Sequence, residues 1–182
     1  MLPLGHAAVA YLSYVSVAAA TRRHPSRLSL VPLLVASQLP DLVDKPLVFL
    51  RVLPSGRSLG HSVFVLCLWL LLLVLVRRRV ATDPASTSFL HRLVAYSPVA
   101  FAVGYASHLL ADSYVALLDG RWHAASYLLY PLLPAPVYPA DDISPLVRLA
   151  RIYATPWHHD QFWLVVLAGG TVALHWLWLY RE

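Results

Sequence analysis

The chain has 182 residues, 59% of them apolar and only 13% charged, with a mean hydropathy of +0.62. Soluble domains run at roughly 45–50% apolar and about 25% charged, so a water-soluble globule and a disordered chain are both excluded. Fourteen basic side chains against nine acidic ones give a charge of +5, and a lone cysteine, Cys67, excludes a disulfide scaffold. The bases are almost all arginines in short runs beside apolar segments. That pattern belongs to membrane topology, not to a basic nucleic-acid-binding face, and no nucleic-acid partner is expected.

Five segments are predicted to cross a bilayer, whose core of about 30 Å needs roughly 17–25 helical residues. The first is Leu4–Ala20, closed by Thr21-Arg22-Arg23-His24. No charge precedes it, so it reads as a retained helix and not as a cleaved leader. The second runs from about Leu28 to Val43, with Pro40 expected to loosen its last turn. The third, Leu59–Val76, ends in Arg77-Arg78-Arg79 and should bury Cys67 as an inert thiol. Ala81–Ser88 is a polar connection, and the fourth segment is about Leu93–Leu110. Between Asp112 and Asp160, five prolines (131, 134, 136, 139 and 145) break the chain into short pieces rich in tyrosine. Tyr127, Tyr130, Tyr138, Tyr153 and Trp157 favour interfacial depth, so this stretch is expected to form a cap of short interfacial helices. The fifth segment is Phe162–Tyr180.

The fold class expected is thus all-α: a polytopic membrane bundle of about five helices with an interfacial cap. It forms one domain over 1–182, with a core over 1–112, the cap over 113–160 and a last span over 161–182. The positive-inside rule puts Arg22, Arg23, Arg27, Arg77–Arg79 and Arg181 in the cytoplasm of a multi-pass cell-membrane protein.

Ionisable residues in membrane segments are costly and mark functional sites. His6 falls at the outer start of the first segment, Asp41 and Asp44 at the outer end of the second, His61 at the start of the third, and His108 and Asp112 at the close of the fourth. All six therefore gather at one, extracytoplasmic, end. His108 and Asp112 stand four apart and share a helix face; Asp41 and Asp44, three apart, do likewise. Three carboxylates in a low-dielectric pocket cannot all ionise without a compensating cation. Arg57 and Lys45 offer part of that charge, and one or two divalent ions would complete it. Mixed imidazole and carboxylate ligands suit Zn²⁺ first, then Mn²⁺ or Fe²⁺.

A metal at headgroup depth makes hydrolysis the natural chemistry, with a lipid-like phosphodiester or ester as substrate. His6, Asp41, Asp44, His61, His108 and Asp112 are the expected ligands. Asp41, Asp44 and His61 are the expected catalytic groups, with Asp41 or Asp44 bridging two ions and a spare aspartate as base. Ser62 and Ser107, each beside a histidine, are expected to orient imidazoles or carboxylates. His158-His159-Asp160 would complete a second metal, steady the substrate, or anchor the interface. Two other classes share these residues: a cation or proton transporter, and a non-catalytic protein stapled by a structural metal. Transport calls for charge at several depths, and the middle thirds of the first four segments carry none.

Four short motifs occur in order: Leu2-Pro3-Leu4-Gly5-His6, Leu39-Pro40-Asp41-Leu42-Val43-Asp44, Gly60-His61-Ser62 and Gly104-Tyr105-Ala106-Ser107-His108-Leu109-Leu110-Ala111-Asp112. Together they resemble the YdjM-type membrane-bound metal-dependent hydrolases, with coverage to about Leu133, where Tyr130-Pro131-Leu132 is similar to that family's closing proline motif. The resemblance implies a helical membrane hydrolase, distantly akin to zinc-dependent phospholipase C and single-strand nucleases, with those same six residues as the metal site. The chain departs from the pattern at Gly56-Arg57-Ser58-Leu59-Gly60, where a His-Arg pair and a Thr are usual, and at Ser113-Tyr114-Val115, where Thr-Pro and glycine are usual. The missing histidine bears on whether a second ion binds.

Overall fold

The computed structural model describes residues 3–22, 27–80, 89–158 and 161–179. Its helices are α1 (Pro3–Ala20), α2 (Leu30–Phe49), α3 (Val63–Val80), α4 (Phe89–Leu118), α5 (Pro145–Ala154) and α6 (Gln161–Leu179). Short 3₁₀ turns cover Arg27–Ser29, Trp122–Leu129, Pro139–Asp142 and Pro156–His158, and no strand occurs among the described residues. The all-α class is as the composition requires.

α4 is the hub, packing on α2, α1 and α3, while α6 lies along α1. Small residues set these crossings. Ala10 and Ala100 let α1 and α4 approach around Leu33 and Tyr14, and Ala36 receives Phe101, Tyr105 and Leu109. Gly104 is the closest point, where even a methyl group would run into the Leu33 carbonyl oxygen of α2. Outward faces remain apolar: Leu68, Leu71, Leu72 and Leu75 of α3 and Leu167 and Leu174 of α6 are all exposed. An apolar exterior of this extent fits a bilayer and would aggregate in water.

Among the described residues, two helices are long and apolar enough to cross a membrane, Pro3–Ala20 and Pro98–Leu118, while Gln161–Leu174 is apolar but shorter. α2 carries Asp41, Asp44 and Lys45 within its length, and the last turn of α3 is Arg77–Arg79.

Element boundaries also differ from those expected. α2 does not loosen at Pro40; it continues through Pro40 and Pro46 to Phe49. α3 starts at Val63, so Gly60 and His61 lie in the loop before it. α4 runs on to Leu118, which places Asp112 inside the helix and starts the cap later than 113. Cys67 is exposed on α3, not buried, because only one side of that helix packs on α4. The segment after α4 does break into short helices, as its prolines predict.

Gly104→Ala should lower stability by about 1–3 kcal/mol, the usual range for forcing a methyl into a packed contact. Gly169→Ala, where an added Cβ meets nothing within 4 Å, should be neutral or mildly stabilising. Thermal unfolding of the two variants in detergent checks the contrast.

Candidate metal centre

The site is built on one carboxylate. Asp44 projects from α2 into the loop before α3, where its oxygens accept the backbone N–H groups of Ser58 (2.7 Å), Gly60 (2.7 Å) and His61 (3.3 Å). The loop can press this close because residue 60 is glycine: a Cβ there would sit 2.8 Å from the Pro40 carbonyl oxygen. Tyr105 of α4 donates its hydroxyl to the Gly60 carbonyl and closes the loop from the other side. The same Asp44 carboxylate takes the His61 Nδ1–H at 2.8 Å, so the Nε2 of His61 points away from it.

His108 is fixed in the matching way. Its Nδ1 lies 2.6 Å from the Ser37 carbonyl oxygen, which can only accept, so Nδ1 carries the hydrogen. Both rings then turn Nε2 toward each other at 3.2 Å, and both are fully buried. Two bare nitrogen lone pairs at that distance repel unless a cation or a proton lies between them. Nitrogen ligands about 2.0–2.1 Å from a tetrahedral ion stand about 3.3 Å apart.

Two carboxylates flank the pair. Asp41 Oδ1 lies 3.6 Å from His61 Nε2 and 3.9 Å from His108 Nε2; Asp112 Oδ2 lies 3.5 and 4.0 Å from the same atoms. One ligand atom from each of Asp41, His61, His108 and Asp112 falls within 4.8 Å of the others, a group that could hold a metal ion. The bases pair as charge requires: Lys45 with Asp41 one helical turn away, and Arg57 Nε with Asp112 Oδ2 at 2.9 Å. The Arg57 guanidinium also lies over the rings of Tyr138 (5.2 Å) and Tyr127 (5.8 Å) from the cap. Burial opposes charge on Arg57, but Asp112 and the two tyrosines outweigh it and raise its pKa. Burial likewise opposes charging His61; hydrogen bonds to Asp112 and Asp44, with the Asp41 charge, prevail and raise its pKa. The raised His61 pKa lets a proton compete with an ion for the space between the rings.

His6 stands beside this group. It is fully buried, stacks on His108 with centroids 3.6 Å apart, and neither of its ring nitrogens has a hydrogen-bond partner among the described residues. Its Nε2 faces the other oxygens of the two carboxylates, 3.5 Å from Asp112 Oδ1 and 4.0 Å from Asp41 Oδ2.

Of the residues singled out in the sequence, His6, Asp41, Asp44, His61, His108 and Asp112 all converge, though not in equal positions. Asp44, expected as a ligand or bridge, has both oxygens engaged by N–H donors. Ser62 donates to the Tyr130 carbonyl at 2.6 Å and Ser107 to that of Gly104 at 2.9 Å. The first bond joins the loop to the cap and the second stays within α4, so neither orients an imidazole. Arg57 does meet a carboxylate, as its charge suggested. His159 and Asp160 lie outside the described residues, as does the His158 side chain. Sequence reasoning missed Tyr105 as a support for the loop, although it stands three residues before His108 on the same helix face, and Tyr127, whose buried ring meets His61 edge-on at 5.8 Å, left no sequence signal.

The family model for the YdjM inner membrane protein matches residues 1–180. No curated protein and no solved structure matches the chain.

Asp44→Asn should weaken zinc binding about 10–100-fold, the usual effect of removing the group that orients a histidine ligand. Chelator competition measures this, with circular dichroism to verify the helices. In the parent protein, zinc affinity should climb with pH up to the raised pKa of His61, where the proton no longer competes, and level off above it. In Asp44→Asn the plateau should begin at lower pH.

Proposed function

The chain belongs to the YdjM inner membrane protein family, and on that footing we propose that it is a membrane-bound hydrolase dependent on one divalent ion, zinc first. Asp41, His61, His108 and Asp112 would hold the ion. The observation that carries this reading is the pair of Nε2 atoms held face to face at 3.2 Å, with a carboxylate oxygen on either side. Each ring's opposite nitrogen is committed, one to Asp44 and one to the Ser37 carbonyl, so both tautomers favour a cation.

A divalent ion bound there would lower the pKa of a water and polarise an ester or phosphodiester oxygen. The chain's own groups supply the rest. Asp44 and Ser37 hold the two imidazoles in register. His6, with unpartnered nitrogens beside the far oxygens of Asp41 and Asp112, is placed to accept the proton that the attacking water loses. Three carboxylates against Lys45 and Arg57 leave one negative charge; a dication reverses it to one positive charge. That balance supports a single ion and an anionic substrate, a lipid-like phosphodiester before a neutral ester.

The arginine bias supports an extracytoplasmic site. Arg22 and Arg77–Arg79 end α1 and α3, while His6 and His61 lie at the opposite ends of the same helices.

Purified protein in detergent should carry about one zinc per chain and cleave bis(p-nitrophenyl) phosphate only when loaded. His108→Ala and Asp112→Asn should lose both ion and activity. His6→Gln should keep the ion while its rate falls about 10²–10⁴-fold, the usual worth of a general base. Stable protein that takes up no zinc in any preparation would overturn the reading.

A further inference from the structure

Buried chemistry needs a way in. His6, His61 and His108 are all 0% exposed, and the cap closes over the loop that carries His61. α6 packs along α1, and one face of the end of α4, with Leu110, Tyr114, Val115 and Leu118, stays exposed. Between them lies a cleft of about 310 Å³. Arg57 and Asp112, joined at 2.9 Å, form one part of its lining; Ala111 and Val115 form the α4 wall, and Gln161 and Leu164 the α6 wall. Since Asp112 belongs to both, the cleft adjoins the four-residue cluster directly.

The lining has two characters. At Arg57 it is cationic, and the guanidinium is held in one pose by Asp112 and two tyrosine rings. The Asp112 bond occupies Nε and Tyr138 takes a further hydrogen bond, and the donors that remain of an arginine's five suit a phosphate-type anion. Along Val115, Leu164 and Ala111 the walls are apolar, and the mouth is open, Tyr114 and Val115 being 53% and 45% exposed. Ligand pockets span roughly 300–1,000 Å³. A cleft at the small end of that range takes a headgroup and its first methylenes but not a whole lipid.

We infer that this cleft is the binding subsite for an amphiphile bearing a phosphate-type head, with the anion at Arg57 and the start of its chain between Val115 and Leu164. This rests on the hydrolase reading above and names its substrate class. The remainder of the chain leaves through the mouth, past Tyr114 on the outer surface of α4.

Native mass spectrometry of the full-length, zinc-loaded protein in detergent tests it, because one spectrum reports both zinc and ligand. The probes are oleoyl lysophosphatidic acid, monoolein (the same tail, uncharged) and glycerol 3-phosphate (the head alone). One lysophosphatidic acid should bind per chain, with at least 10-fold lower occupancy for either of the others. Val115→Trp and Leu164→Trp, filling the cleft from opposite walls, should each cut that occupancy at least 10-fold with zinc retained. Leu174→Trp, at an exposed position further along α6, should change nothing. Unchanged binding in both cleft variants, equal binding of monoolein, or loss in Leu174→Trp overturns the inference. Equal binding of glycerol 3-phosphate assigns the cleft to a water-soluble anion and overturns the amphiphile. Cleft-dependent lipid binding by protein that takes up no zinc leaves the cleft standing while the hydrolase reading falls.

Discussion

One buried carboxylate organises the site. Asp44 is 0% exposed, and an uncompensated carboxylate at such a place would be expensive. Its four N–H partners come from the loop before α3, and by gathering them Asp44 fixes the loop's path, the position of His61 and the tautomer of its ring. A charge-assisted hydrogen bond is roughly twice as strong as a neutral one, so a loop with little regular structure can still be rigid. Gly60 and Tyr105 complete the clamp, one by permitting close approach to α2 and the other by bonding the loop to α4.

Charge accounts for the remainder of the cluster. Asp41 meets Lys45 with Oδ2 and the imidazoles with Oδ1, whereas Asp112 turns Oδ2 to both Arg57 and the imidazoles. This partial neutralisation stabilises the carboxylates, while the two Nε2 atoms still face each other at 3.2 Å. Lys45 meets Asp41 within α2 itself, one turn along the helix, and needs no help from another helix.

Convergence of the six ionisable residues was legible in the sequence because it rests on two simple regularities. Apolar segments of fixed length assign each residue to an end of the bundle, and a spacing of four puts His108 and Asp112 on one helical face. Their division of labour was not legible. Asp41 and Asp44 are the same residue type three apart, and only the loop's path reveals that one faces the imidazoles while the other holds backbone amides. The boundaries of α2 and α4 were misjudged for a related reason. Local propensity has Pro40 weakening the helix end, but packing against α4 carries α2 through two prolines. Ser62 and Ser107 fail as orienting groups because a short hydroxyl side chain finds a carbonyl nearby before it reaches an imidazole.

Small residues and a polar core occur together here for a physical reason. In a bilayer the lipid tails are as apolar as leucine, so burying leucine between helices gains little, and association depends on close packing and on polar contacts. The α1–α2–α4 core supplies the first through Ala10, Ala36, Ala100 and Gly104. The second comes from the cluster itself, which draws a side chain from each of those three helices and from the loop before α3. Close backbone approach at Gly104, one turn from His108, is what brings α2 near enough for the Ser37 carbonyl to reach the His108 ring. Packing therefore sets the imidazole positions, and the polar contacts in turn favour that packing. On this view the same residues hold the bundle together and define the centre, so fold and site cannot be varied independently.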